Sequence, residues 1–339
     1  MIQVKLVQSG RFELEEVAKP QVRANEVLIR VKNAGICGTD IHSFHGKHPF
    51  ISTPIVPGHE FSGVIVEIGQ EVPQEMFSID QKATVEPSLV CGKCYNCQIG
   101  RYNICDHLIV LGCQTDGAFK EFISVPWQKV VPLDDFMSFE DAAMLEPLAV
   151  GIHAVEIGKV NRGDHVLVIG SGVIGLLLAQ AAEVRGAIVT IVDISEERLS
   201  KAIDLGIKNV INSSKEDILT SINRISKNGI DTIFECVGHP STILQSIEIA
   251  RKGSRVVIVG VVNEDVMLPV NLIQDRELEL LGDLMYTKKD FDKAKNLVAE
   301  GKVNLKDLLT KTFDLKDIQS AFEFIEQYKD TTFKVLLRV

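Results

Sequence analysis

No uninterrupted stretch of this chain is long and apolar enough to read as a membrane span. Its most apolar run, HVLVIGSGVIGLLLAQAA, is broken in the middle by three glycines. That run fits a strand, a turn and a helix instead. The N-terminal MIQVKLVQSGRFELEE alternates and is charged, and it lacks the apolar core of a signal peptide. Positive charge is not in excess either. The chain has 36 Lys and Arg against 46 Asp and Glu, a formal net charge of -10. That balance repels phosphate backbones and anionic lipid, which argues against nucleic acid and membrane surfaces as partners. Low-complexity tracts, long linkers and internal repeats are also missing. The expected compartment is the cytoplasm.

What is present is ordinary for a globular protein: 45% apolar and 24% charged residues. The 339 residues exceed the roughly 100–200 usual for one domain, which predicts two. Residues 1–135 carry short alternating runs such as EVLIRVKNAG, SGVIVEIG and AFKEFISVP, divided by glycine, proline and polar turns. They predict an all-β region. DAAMLEPLAVGIHAVEIGKV then has helical spacing, with Pro147 expected to break it. From Asp164 to about Gly282, β-rich runs alternate with helical ones, the rhythm of a parallel doubly wound sheet. Two helical stretches, KKDFDKAKNLVAEG and LKDIQSAFEFIEQ, precede a last strand, FKVLLRV. The fold class is α/β.

GSGVIG, from Gly170 to Gly175, fits the pattern G-x-G-x-x-G. By itself that string is compatible with a bare strand-to-helix turn. Here it follows the strand HVLVI and opens a helix, and a second strand ends in Asp193, eighteen residues after Gly175. This is the context of a dinucleotide site. Gly170 permits the tight turn. Gly172 lets the backbone approach a pyrophosphate, which rests with Val173 and Ile174 on the helix N-terminus. Gly175 lets helix and sheet pack closely. Asp193 can accept from the adenosine ribose and would repel a 2'-phosphate, which favours NAD over NADP. Arg198 could stack on adenine or reach a phosphate. Val259, Gly260 and Val261, ending a later strand, complete the expected cofactor set.

Seven cysteines sit at 37, 91, 94, 97, 105, 113 and 236. Cys91, Cys94, Cys97 and Cys105 crowd into fifteen residues. In a reducing compartment such clustering predicts metal binding rather than disulfides. Four thiolates saturate a tetrahedral zinc, which makes the site structural. An iron–sulfur cluster is the rival reading. Cys113 and Cys236 have no partner at ligand spacing and read as small buried apolar residues.

ICGTDIHSFHGKH holds Cys37, His42, His45 and His48, and PGHEFSGVIVEIG holds His59 and Glu60. Cys37, His59 and Glu60 offer sulfur, nitrogen and oxygen. Three protein ligands and one open position are the arrangement of a catalytic zinc. Gly46 and Pro49 interrupt any helix that would stack the histidines, so His45 and His48 are given no metal.

GICGTDIH, PGHEFSGVIVEIG, the four-cysteine lobe, MLEPLAVGIHA, GSGVIG and the Asp193 strand follow one another in an order that resembles the zinc-containing medium-chain alcohol dehydrogenases. The resemblance covers nearly the whole chain and is nearest to the sorbitol, threonine and sugar-acid dehydrogenase branch. It implies a GroES-like β domain, residues 1–145 and 285–339, carrying a catalytic and a structural zinc. A Rossmann NAD-binding domain, 146–284, is inserted into it. It further implies that Cys37, His59 and Glu60 bind or approach the catalytic zinc, and that Glu146 joins the metal or stands near its water. Thr39 and His42 become a proton relay. The implied activity is reversible, NAD-dependent oxidation of a secondary alcohol to a ketone by a homodimer or homotetramer. GICGTDIHSF and the segment from Cys91 to Phe122 look closest to hexonate oxidoreductases. Leu284, Met285 and Tyr286 stand where polyol dehydrogenases often have Phe-Arg-Tyr, which weakens sorbitol itself as the substrate. L-threonine and 2,3-butanediol are alternative substrates. A non-catalytic nucleotide-binding zinc protein is the alternative from another class.

Overall fold

The alternating runs of the first third become strands. In the computed structural model, which describes residues 1–339, EVLIRVKNAGI forms the strand Glu26–Ile36 and EFSGVIVEI the strand Glu60–Ile68. They pair antiparallel, with Gly35 opposite Glu60. A mixed sheet of seven strands surrounds them. Its order is Leu309–Asp314, Lys334–Arg338, Glu26–Ile36, Glu60–Ile68, Lys82–Val85 and Val130–Pro132, with Phe122–Pro126 also paired to Glu26–Ile36. The last strand of the chain thus lies beside the strand that leads to Cys37. Val27, Ile29, Val31, Phe61, Ile65 and Leu337 are fully or almost fully buried in the core of this unit. At roughly 1.5–3 kcal/mol for each such side chain buried, they set the register that places the site.

The second half alternates strand and helix as its pattern requires. Six parallel strands are ordered Asn209–Asn212, Ile188–Asp193, His165–Ile169, Thr232–Glu235, Arg255–Ile258 and Glu279–Gly282. This is the doubly wound order, and its switch point lies between His165–Ile169 and Thr232–Glu235. Ligands of such sheets bind outside the carboxyl ends of the strands at that point. Leu167, Val168, Leu176, Leu177 and Leu178 are buried where the first helix, Val173–Val184, covers the sheet.

Two compact units result: Met1–Glu146 with Leu305–Val339, and Pro147–Asn304. The return into the first unit falls at Leu305, not at residue 285. The helix Lys288–Ala299 explains the difference. Its Phe291 and Ala294 are fully buried. Asp290 Oδ2 lies 2.9 Å from His153 Nδ1. Lys293 pairs with Glu156. Beyond it, the Asn304 amide donates to Gln180 Oε1 at 2.7 Å. These contacts tie the segment to the nucleotide-type unit.

Pro147 does not break its helix. The interruption falls at Met144, between Phe139–Ala143 and Leu145–Ile157. Proline is tolerated in a first turn because its missing N–H has no intrahelical acceptor there. No helix is long and apolar enough to cross a membrane.

Candidate metal and dinucleotide sites

Cys37 follows the long strand Glu26–Ile36 and caps the short helix Gly38–Phe44, its N–H donating to Asp40 Oδ2 at 2.9 Å. His59 immediately precedes the paired strand Glu60–Ile68. Antiparallel pairing therefore brings residues distant in sequence to one end of two adjacent strands. The ligand atoms of Cys37, His59 and Glu60 all lie within 4.8 Å of one another. Gly35 is required beside them, since a Cβ there would collide with the Glu60 carboxylate. A half-buried sulfur with buried nitrogen and oxygen at this spacing fits zinc.

Glu60 is not free. Lys334, from the last strand, donates to both of its oxygens at 2.8 and 2.5 Å and to the Ile36 carbonyl at 3.3 Å. The Lys334 and Glu60 side chains are only 3% and 1% exposed. Burial alone would lower the Lys334 pKa, but Glu60, with Cys37 and Glu146, overrides it and raises it. Glu146 is buried and contributes to this field, yet it stands outside the group of converging ligand atoms. Burial likewise opposes protonation of His59, and Cys37 and Cys113 together override it and push its pKa well up. A centre that favours positive charge despite burial suits a cation.

Thr39 and His42, one turn apart on the helix Gly38–Phe44, share a face. Thr39 is half-buried and His42 exposed. Partial burial, then His45 and Lys47, lower the His42 pKa, which favours the neutral ring, the form that accepts a proton. The other two histidines of the stretch have separate duties. His45 Nε2 pairs with Glu326 at 2.8 Å, and His48 Nδ1 accepts from the Phe50 amide at 3.2 Å.

In the lobe, the four sulfurs of Cys91, Cys94, Cys97 and Cys105 also lie within 4.8 Å of one another. Cys105 Sγ is 3.6 Å from Cys91 Sγ and 3.9 Å from Cys94 Sγ. Zinc–sulfur bonds of about 2.3 Å make a tetrahedron with edges of about 3.8 Å, so the spacing matches. Backbone amides of Lys93 and Cys94 lower the Cys91 thiol to about 6. All seven cysteines are free of disulfides. The lobe fits a closed, structural zinc.

The dinucleotide turn lies wholly in the second unit. Gly170 has φ +99°, a left-handed conformation that favours glycine. Gly172 caps the helix Val173–Val184, and a Cβ on Gly175 would collide with the Gly170 carbonyl. Asp193 ends its strand and binds the turn itself. Its Oδ2 accepts from Ser171 N at 2.7 Å and Ser171 Oγ at 2.8 Å, and its Oδ1 accepts from Ser195 N at 3.0 Å. Arg198 comes close to the turn, its guanidinium 3.4 Å from where a Cβ on Gly172 would stand. The Val259 and Gly260 amides both donate to the Glu235 carbonyl, at 2.8 and 2.9 Å, joining the carboxyl ends of the neighbouring strands Thr232–Glu235 and Arg255–Ile258. Val261 is exposed beside them.

Several residues of consequence carry no sequence signal. Ser171 is one, an unassigned position inside the glycine motif. Glu235 is another, fully buried, its carboxylate accepting from Val237 N, Gly238 N and Thr242 Oγ1 at 2.8–3.0 Å. Lys334 and Cys113 are the others in the first unit. In the Gly282–Thr287 stretch, Asp283 directly follows a strand end, and burial pushes its carboxyl up to about 7 against the pull of His153. Next to it, Leu284 is exposed, Met285 has φ +54° and Tyr286 is fully buried.

Comparison with known proteins agrees with this geometry. The description "Alcohol dehydrogenase GroES-like domain" matches residues 23–135, and "Zinc-binding dehydrogenase" matches 173–300. A sorbitol dehydrogenase of Halalkalibacterium halodurans is 34% identical, the match covering 97% of this chain and 96% of the relative. An L-idonate 5-dehydrogenase of Vitis vinifera is 33% identical, over 92% of this chain and 88% of the relative. A structure described as a short chain alcohol dehydrogenase of Escherichia coli, solved with NADH, superposes with a TM-score of 0.94 at 30% identity, over 100% of this chain and 99% of that one. With this fold, two sets of converging zinc donors and a dinucleotide turn, the chain belongs to the zinc-containing medium-chain alcohol dehydrogenase family, in its sorbitol and sugar dehydrogenase branch.

Proposed function

We propose that the protein reversibly oxidises a secondary alcohol of a polyol or a hexonate-like sugar acid to a ketone, with NAD. The observation that carries this is the convergence of a half-buried Cys37 with the buried His59 and Glu60, three donors of the kind that would hold a catalytic zinc. Bound there, zinc supplies Lewis acidity toward the substrate oxygen, and NAD is the hydride acceptor. Cys37, His59 and Glu60 would hold the metal, with Glu60 shared with Lys334, and Glu146 adds to the field around it. Thr39 passes the alcohol proton by accepting and donating through its hydroxyl, and His42 delivers it to water. Asp193 supports NAD over NADP, since a carboxylate at the ribose repels a second phosphate. The relatives compared act, by name, on sorbitol and idonate, which supports polyhydroxylated substrates.

The test is metal content together with a substrate screen. About two zincs per chain are expected, and NAD reduction with hexonates, pentitols or hexitols. Reduction with threonine or 2,3-butanediol alone would move the substrate class. One zinc and no reduction with any alcohol would sink the proposal in favour of a non-catalytic protein.

The relay makes its own prediction. His42→Ala should slow turnover on the order of a hundredfold at low pH, where hydroxide cannot take the proton, with partial rescue by small buffers. An unchanged pH–rate profile would remove His42 from the path. We also propose a homodimer or homotetramer, supported by the unpaired outer edge of the strand Glu279–Gly282. A cytoplasmic location is supported by the free, clustered cysteines.

A further inference from the structure

Glu235 is left unused by the chemistry above. It ends the strand Thr232–Glu235 and is fully buried. The partners of its carboxylate are all neutral. Oε1 accepts from Val237 N at 2.9 Å, Gly238 N at 3.0 Å and Thr242 Oγ1 at 2.8 Å, and Oε2 accepts from Gly238 N at 3.1 Å. These donors belong to the turn after the strand and to the first residues of the helix Pro240–Ile249. A glutamine of the same shape would meet most of them at a lower desolvation cost. The neighbouring thiol registers the charge: burial, then the Glu235 and Asp283 carboxylates, push Cys236 well up.

This charge stands at the dinucleotide crevice. Across the switch point, Glu235 is in register with Ile169, the residue before Gly170. The turn that Glu235 holds interlocks with the loops on both sides. A Cβ on Gly170 would stand 2.8 Å from Val237 Cγ2, and one on Gly238 would collide with the Val261 carbonyl oxygen. Val237 and Val261 are exposed there. All of these residues, with Gly172 and Asp193, lie in the second unit. A dinucleotide with its pyrophosphate at Gly172 and its adenosine toward Asp193 lays its other half beyond the switch point, on the side of Thr232–Glu235 and Arg255–Ile258. That half is the nicotinamide. Its ring is a cation in NAD and neutral in NADH, once it carries the hydride. We propose that the buried Glu235 carboxylate favours the oxidised cofactor, so that NAD binds more tightly, relative to NADH, than an uncharged turn would allow. The proposal rests on the dinucleotide reading of the Gly170–Gly175 turn.

The experiment measures binding, not turnover. NADH is titrated into the zinc-loaded protein by its fluorescence, and NAD is measured by displacing it. Glu235→Gln keeps the shape, and its oxygen can take the place of Oε1, which makes the three shorter contacts. The variant is expected to bind NAD roughly 5- to 20-fold more weakly and NADH within about twofold of wild type, as the loss of one buried unit charge facing another requires. Equal weakening of both would show a role in shaping the turn alone and would overturn the proposal. Unchanged affinity for both would also overturn it. Should Glu235→Gln fail to fold, Thr242→Val carries the test. It removes one donor and keeps the charge, so the ratio of the two affinities should stay at its wild-type value. A ratio shifted toward NADH would mean that turn geometry sets it, and would overturn the proposal. Wild-type protein that binds neither NAD nor NADH would overturn the dinucleotide reading beneath it as well.

Discussion

Cys37→Ser is expected to lower turnover at least about a thousandfold while NAD binds with wild-type affinity. The first half follows from the donor set. Loss of the thiolate leaves His59 and a Glu60 already shared with Lys334, too few donors to retain the ion. Lewis-acid stabilisation of several kcal/mol disappears with the metal, and each 1.4 kcal/mol, approximately, is tenfold in rate. The second half follows from the division of labour between the units. Gly170, Gly172, Gly175 and Asp193 all belong to Pro147–Asn304, and Cys37 does not. Metal analysis should show the zinc count falling by about one, because the lobe has its own four sulfurs. NADH fluorescence titration reads the cofactor site separately. Full turnover in the variant, with the first zinc gone, would remove this site from the chemistry.

Lys334→Met is expected to destabilise the protein by about 3–5 kcal/mol, measured by urea unfolding at fixed zinc and protein concentration. Lys334 and Glu60 are almost completely buried. Removing the cation leaves the Glu60 carboxylate in the interior without its paired ammonium, which costs far more than the intact pair contributes. The double variant Lys334→Met, Glu60→Gln should recover most of the loss, because neither buried charge then remains. A single-variant effect below about 1 kcal/mol would show that Glu60 finds another cation or water, and would place the pair among weakly coupled ones.

Much of the architecture was legible because its causes are local. Alternation over Glu26–Ile36 and Glu60–Ile68 announces strands. Glycines at 170, 172 and 175 announce a turn that side chains would obstruct, and the strand before and helix after it supply the context. Two-residue gaps between Cys91, Cys94 and Cys97 announce a shared ion. Two readings needed correction, each for a reason that local pattern does not contain. Pro147 lies in a first turn, where a missing donor has no cost. The helix Lys288–Ala299 belongs to the second unit because Phe291, Asp290 and Lys293 find partners there. Cys113 is buried and outside both ligand groups, as its spacing predicts.

By itself the sequence determined the elements, the glycine turn and the cysteine lobe, since each depends on residues within a few positions of one another. The centre at Cys37 was decided by tertiary structure. Antiparallel pairing of Gly35 with Glu60 carries Cys37 to His59, and the final strand delivers Lys334 to Glu60 from 274 residues away. Such contacts depend on register and burial across the whole unit, and no spacing within one segment encodes them.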